Sequence, residues 1–180
     1  IFLENIKIYN EDIFNINLNK YDLIVSNPPF VQFKKNNIRE YGDILFLEKM
    51  WSEIKFGAIF SFIVTNNFVS NSKYKKLRSK ILNEVIDFSV IELDVFSYHK
   101  TEVQTYIITG RKAGTNGKSI TLKKSNIFGE IVDAYNLDID KALYRMDFSY
   151  YKSIDMLSKK VRADLPLLGD IMCGISRGSQ

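Results

Sequence analysis

Residues 21 to 30 read Y-D-L-I-V-S-N-P-P-F. The first six form a nearly continuous apolar run closed by two prolines, the pattern of a strand buried on both faces. Asn27, Pro28, Pro29 and Phe30 then make a stiff turn, because Pro29 confines Pro28 to an extended conformation and so fixes where its carbonyl points. A carboxamide, a proline carbonyl and an aromatic face stand side by side. That set suits an NH2 group whose lone pair is delocalised into a ring or an amide. Two acceptors, the Asn27 side-chain carbonyl and the Pro28 backbone carbonyl, would each bind one N–H and direct the lone pair at an electrophilic methyl group. Phe30 would stack on a flat base, a contact of about 1 to 3 kcal/mol. The remaining catalysis is alignment, with no metal and no strong general base required. A turn of this kind also serves simply to end a strand. The chance of N-P-P-aromatic in a chain of this length is on the order of 1 in 500, which favours the chemical role.

Outward from this turn, Gly42 and Asp43 open a helix whose Leu47, Met50, Trp51 and Ile54 fall at helical spacing, with Asp43 as its N-cap. A second buried strand is expected over Ala58 to Thr65. Asn71 or Ser72 opens another helix, with Tyr74, Leu77, Ile81 and Val85 as the apolar stripe and Lys75, Lys76, Arg78 and Lys80 on the other side as a solvated basic face. Strand-like runs return at Phe88 to Leu93 and Val103 to Thr109. Alternating buried strands and helices mean parallel βαβ units and an open α/β sheet. The last two runs, with no helix between them, are expected as an antiparallel pair at one edge. Asn116 and Gly117 signal a hairpin that brings Ser119 to Lys123 back onto the preceding strand. A further helix is expected over Tyr150 to Val161, and Pro166 punctuates a new segment from Leu165.

The chain has 180 residues, 46% hydrophobic and 26% charged, enough for one packed core. A single cysteine, Cys173, excludes an internal disulfide framework, and a single histidine, His99, offers no metal-ligand spacing. No apolar run reaches the roughly 20 residues that span a bilayer, and a cytoplasmic protein is expected. Twenty-five basic residues stand against 21 acidic ones, a net charge of +4 that tilts toward a polyanionic partner without naming one.

The motif N-P-P-F at 27 to 30 resembles the (N/D/S)-P-P-(Y/F) signature of the S-adenosylmethionine-dependent amino-methylating DNA methyltransferases, specifically the N6-adenine enzymes of restriction-modification systems. G-A-I-F-S-F-I-V-T-N-N-F at 57 to 68 with Y-K-K-L-R-S-K-I-L at 74 to 82 resembles the family's next strand and helix. V-F-S-Y-H-K-T-E-V-Q-T-Y-I-I-T at 95 to 109 resembles its late hairpin, and L-P-L-L-G-D-I-M-C-G-I-S-R-G-S-Q at 165 to 180 its opening of a target recognition domain. The resemblance implies the C-terminal part of a Rossmann-like methyltransferase sheet with an antiparallel edge hairpin. It divides the chain into a partial catalytic domain (1–125), a connecting segment (126–164) and the start of a recognition domain (165–180). It implies S-adenosylmethionine as cofactor and double-stranded DNA as partner, with the adenine flipped out of the duplex.

Carried onto this sequence, the resemblance gives Asn27, Pro28, Pro29 and Phe30 the adenine, Phe96 a second aromatic contact, and Asp12, in N-E-D-I-F, the approach to the cofactor's adenine. The family's glycine-rich cofactor loop should precede N-P-P-F by many tens of residues, whereas the 26 residues before Asn27 hold no glycine. The expectation is therefore a fragment that binds the cofactor poorly alone. Lys34, Lys35 and Arg39 lie in the polar stretch after Phe30, where a substrate strand would pass, and are read either as phosphate contacts or as solvated loop residues. Phe96 has a bland reading as an edge-strand core residue. Two competing functions use the same features: methylation of a glutamine amide in a protein, and a non-catalytic DNA-binding remnant.

Overall fold

A computed structural model describes residues 6–30, 32–35, 38–94 and 103–160. It divides into two compact units, residues 1–148 and 149–180. In the first, six strands build one mixed sheet: β1 (Leu23–Ser26), β4 (Ile59–Thr65), β5 (Val85–Glu92), β6 (Thr105–Lys112), β7 (Ser119–Ser125) and β8 (Ile131–Asp138). A separate antiparallel hairpin, β2 (Gln32–Lys35) and β3 (Ile38–Tyr41), follows the turn after β1. Helices α1 (Gly42–Glu53), α2 (Asn66–Ser70), α3 (Lys75–Leu82) and α4 (Ile139–Ala142) complete this unit. Helix α5 (Phe148–Lys160) corresponds to the helix expected over Tyr150 to Val161 and lies almost wholly in the second unit.

The sheet order is β1-β4-β6-β5-β7-β8, with β1 parallel to β4, β6 antiparallel to both β4 and β5, and β7 parallel to β5. The expected α/β architecture is present, with an antiparallel hairpin, β7–β8, at one edge. Two expected pairings differ. The β5–β6 pair is interior rather than at an edge, because β4 and β7 flank it. Ser119 to Lys123 joins β5, not the preceding β6, since β4 and β5 already occupy both sides of β6. The Asn116–Gly117 turn instead carries the chain past the start of β5, where Ala113 N–H donates to Glu84 O at 2.7 Å and Gly117 N–H to Val85 O at 3.1 Å.

One face of the sheet carries the core. Ile24, Phe60, Phe62, Val64, Ile108, Val90 and Leu122 line up across the strands by register and are all buried. Trp51 of α1 meets Phe60 edge-on at 5.2 Å between ring centroids. Alternation decides the other face: Leu23 and Val25 are 60% and 72% exposed, so β1 is covered on one side only rather than on both.

Two polar locks hold the helices. Helix α1 begins at Gly42, so Asp43 sits in its first turn instead of capping it, and the buried Tyr74 hydroxyl donates to the Asp43 carboxylate at 2.7 and 2.8 Å. Arg78 departs from its expected place on a solvated face. It is buried, with Nη1 donating to Phe68 O (2.7 Å) and Asn71 O (2.9 Å), and Nε and Nη2 to Leu143 O and Tyr144 O (3.2 Å each). Desolvation lowers the guanidinium's affinity for its proton. Four carbonyls offset that cost by solvating the charge from within the protein.

Candidate active site

Because β1, β4, β5 and β7 run the same way, their carboxyl ends, Ser26, Thr65, Glu92 and Ser125, define one rim of the sheet. Ligands of open α/β sheets bind beyond such ends. The Asn27–Phe30 turn leaves β1 at this rim. Asn27 is exposed, Pro28 buried, and the Phe30 ring 43% exposed. Neither the Asn27 carboxamide nor the Pro28 carbonyl has a hydrogen-bond partner among the described residues.

The chain itself explains why the carboxamide is unbonded. Asparagine and aspartate side chains ordinarily accept from the backbone N–H two residues on. Asp12, Asn17, Asn71 and Asn126 all do so here, accepting from Phe14, Asn19, Lys73 and Phe128 N–H at 2.9 to 3.0 Å. Two residues after Asn27 stands Pro29, which has no N–H to give. The double proline thus stiffens the turn and also removes the donor that would capture its acceptor.

The other expected site residues take different places. Lys34 and Arg39 are register partners across the β2–β3 hairpin, and Lys35 pairs with Ile38. Asp12 is exposed and caps a 3-10 turn, Ile13–Asn15, ahead of β1, with one carboxylate oxygen on Phe14 N–H at 3.0 Å. No hydrogen bond or ion pair joins it to the Asn27 turn among the described residues. Phe96 and His99 lie outside the described residues, as does the stretch from Leu165 onward. Thr65, at the end of β4 next to β1, adds a group to the rim that its strand assignment alone does not suggest. It is 6% exposed, and its hydroxyl has no hydrogen-bond partner among the described residues. Its signal in the sequence is a hydroxyl residue ending the apolar run from Ala58, followed by two asparagines. Among the described residues no group of three or more His, Cys, Asp or Glu could hold a metal ion, and no helix is long and apolar enough to cross a membrane.

The family model of the Eco57I restriction-modification methylase matches residues 3–96, more than half of the chain and all of the Asn27 turn. The chain belongs to the Eco57I restriction-modification methylase family. Solved structures agree with the fold of this methylase-family chain. A protein from a study of complex assembly and conformational transition in the type I R-M system superposes with a TM-score of 0.63 at 13% identity, over 86% of this chain and 46% of its own. The type IIG restriction endonuclease BpuSI gives 0.61 at 14% identity, over 83% and 23%. A Listeria monocytogenes protein assigned to the class I S-adenosylmethionine-dependent methyltransferases gives 0.50 at 18% identity, over 63% and 39%. The chain thus spans less than half the length of each. No curated protein matches it.

Proposed function

We propose that this methylase-family chain supplies the acceptor half of an active site that methylates N6 of an adenine flipped out of double-stranded DNA, as part of a restriction-modification enzyme. The observation that carries the proposal is the pair of unbonded acceptors, Asn27 Oδ1 and Pro28 O, beside the half-exposed Phe30 ring. The two oxygens each accept one N6 hydrogen, which localises the lone pair that is otherwise spread into the purine. Phe30 stacks on the base and holds its plane. S-adenosylmethionine, when bound, supplies a methyl group on a positively charged sulfur. Asn27 Oδ1 and Pro28 O would hold the N6 lone pair toward that methyl group, whose sulfur would leave as a neutral thioether, and the surplus N6 proton would pass to solvent.

Asp12 fits a contact to the cofactor's adenine, because an exposed carboxylate steadied by its own backbone is an acceptor for an amino group. The glycine-rich part of the cofactor site is assigned to sequence outside these 180 residues, and residues 165–180 to the opening of a target recognition domain. Lys34 and Arg39 are assigned to phosphates, as register partners of the β2–β3 hairpin that follows the Asn27 turn. Lys35 and Phe96 complete the set as a further phosphate contact and a second aromatic surface.

The test is transfer of tritium from labelled S-adenosylmethionine by the full-length protein that contains this chain. Asn27→Ala is expected to lower transfer to DNA by about 100- to 1000-fold, the effect of removing one preorganised donor or acceptor at a reacting centre. Undiminished transfer would refute the mechanism. Label appearing in a protein instead of DNA would establish the glutamine-amide reading.

A further inference from the structure

Helix α3 runs from the rim back to the start of β5, so Lys73 and Lys75, just before and at its first position, lie nearer the rim than Lys80. Between α3 and α1 lies a groove of about 1090 Å³ lined by Lys49, Lys73, Lys75, Lys76 and Lys80, with Glu48 as its one acidic lining residue. Five lysines less one glutamate give +4, which equals the net charge of the whole chain, 25 basic less 21 acidic. The rest of the molecule is therefore neutral in sum. The lining side chains thus make one concave, locally positive strip. Lys49 is held by Glu53 one turn along α1, and the Lys75 ammonium sits 4.2 Å from the Tyr144 ring centroid. Lys76 and Lys80 are exposed and recur four residues apart on α3.

We propose that this groove binds the sugar-phosphate backbone of duplex DNA where it continues beyond the rim. The inference rests on DNA being the substrate, as proposed above. Lys73 to Lys80 spans about 10 Å along the helix axis, the rise of roughly three successive phosphates on one strand. All five cations are lysines, which meet phosphates as point charges. Arginine, the residue that reads guanine edges in bidentate fashion, does not line the groove. The contact is accordingly independent of sequence and adds affinity rather than specificity.

The test is the salt dependence of binding to a fluorescein-labelled DNA duplex, followed by anisotropy with the full-length protein. The double variant Lys76→Gln/Lys80→Gln is expected to lower the slope of log K against log salt by about 2, with a loss of about 30-fold in affinity at 0.15 M salt. Lys118→Gln, an exposed lysine outside the groove, is expected to keep the wild-type slope. Asn27→Ala is expected to keep it too while losing methyl transfer, so the two proposals fail separately. A double-variant slope equal to wild type overturns the inference, even if an acidic protein segment is then found to bind the groove. A loss matched by Lys118→Gln overturns it as well, because the effect would be one of net charge alone.

Discussion

Substituting Pro29 by alanine restores a backbone N–H two residues after Asn27, the position from which four other Asx side chains of this chain take a hydrogen bond at 2.9 to 3.0 Å. The carboxamide that now faces solvent unbonded acquires an internal competitor for its oxygen. A local hydrogen bond of this kind is worth about 0.5 to 1.5 kcal/mol, which leaves roughly 30% to 7% of the side chain free and lowers methyl transfer by about 3- to 14-fold. The assay is single-turnover tritium transfer at saturating DNA, paired with hydrogen exchange at the new residue-29 amide. Capture predicts that this amide exchanges more slowly in Pro29→Ala than in the double variant Asn27→Ala/Pro29→Ala. Equal exchange in the two would refute the reasoning, because any loss of transfer would then come only from freeing the Pro28 carbonyl. Pro28→Ala provides the complementary control. It adds an N–H one residue on, the position from which Asp43 and Asp133 accept at 3.0 and 2.8 Å, and so separates that mode of capture from the one two residues on.

Three other perturbations read different parts of the structure. Phe30→Ala is expected to weaken DNA methylation by about 5- to 150-fold through lost stacking of about 1 to 3 kcal/mol, and Phe30→Tyr to preserve it, as kcat/KM on a short duplex would show. Arg78→Met leaves the buried carbonyl of Phe68 and three part-buried carbonyls without their donor. Urea unfolding should show a loss of about 3 to 5 kcal/mol with an unchanged m-value, and a loss below about 1 kcal/mol would mean that the carbonyls find water at little cost. Burial, reinforced by Glu92 and Asp147, raises the Tyr106 phenol above its ordinary value of 10.0. Above pH 10 the unfolded chain therefore releases this proton while the folded chain keeps it, so stability falls with rising pH by up to about 1.4 kcal/mol per unit. Tyr106→Phe should remove that part of the alkaline decline. The variant-minus-wild-type difference cancels the opposite trend from Lys112, whose affinity for its proton burial lowers.

Several locally specified elements are legible in the sequence, whereas the β2–β3 hairpin falls in a stretch that reads as a polar loop. The apolar run into N-P-P-F marks the end of β1, the stripe Leu47, Met50 and Trp51 is buried in α1, and Ala58 to Thr65 differs from β4 by one residue. What depends on distant partners was not legible. The Asn116–Gly117 turn signals a reversal without saying which strand receives it, and that choice is made by β4 and β5 filling both sides of β6. Strand β8 has mostly exposed or half-exposed side chains and offers little apolar alternation to read. Arg78 shares its helix with three lysines, and carbonyls far along the chain, those of Leu143 and Tyr144, 65 and 66 residues away, help turn it into a buried strut.

The candidate site follows the same division. Its central feature is local, because the chemistry of the turn depends on whether residues 28 and 29 carry an N–H, and the letters N-P-P decide that without reference to the fold. The lysine groove is the opposite case. On α3 alone, Lys75, Lys76 and Lys80 have the spacing of any solvated amphipathic face, and their balance of charge means little. It acquires meaning when Lys49 and Glu48 of α1 close the other wall of a concave groove. A charge-reversal scan should therefore separate the two walls. Lys76→Glu changes the field of the groove directly. Lys49→Glu also breaks the pair with Glu53, whose oxygens accept from Lys49 and from Leu18 N–H, and should cost stability as well as DNA affinity. Equal losses of affinity with no loss of stability in either variant would mean that the α1 wall is as freely solvated as α3, and that the groove is not held in shape by the helices that form it.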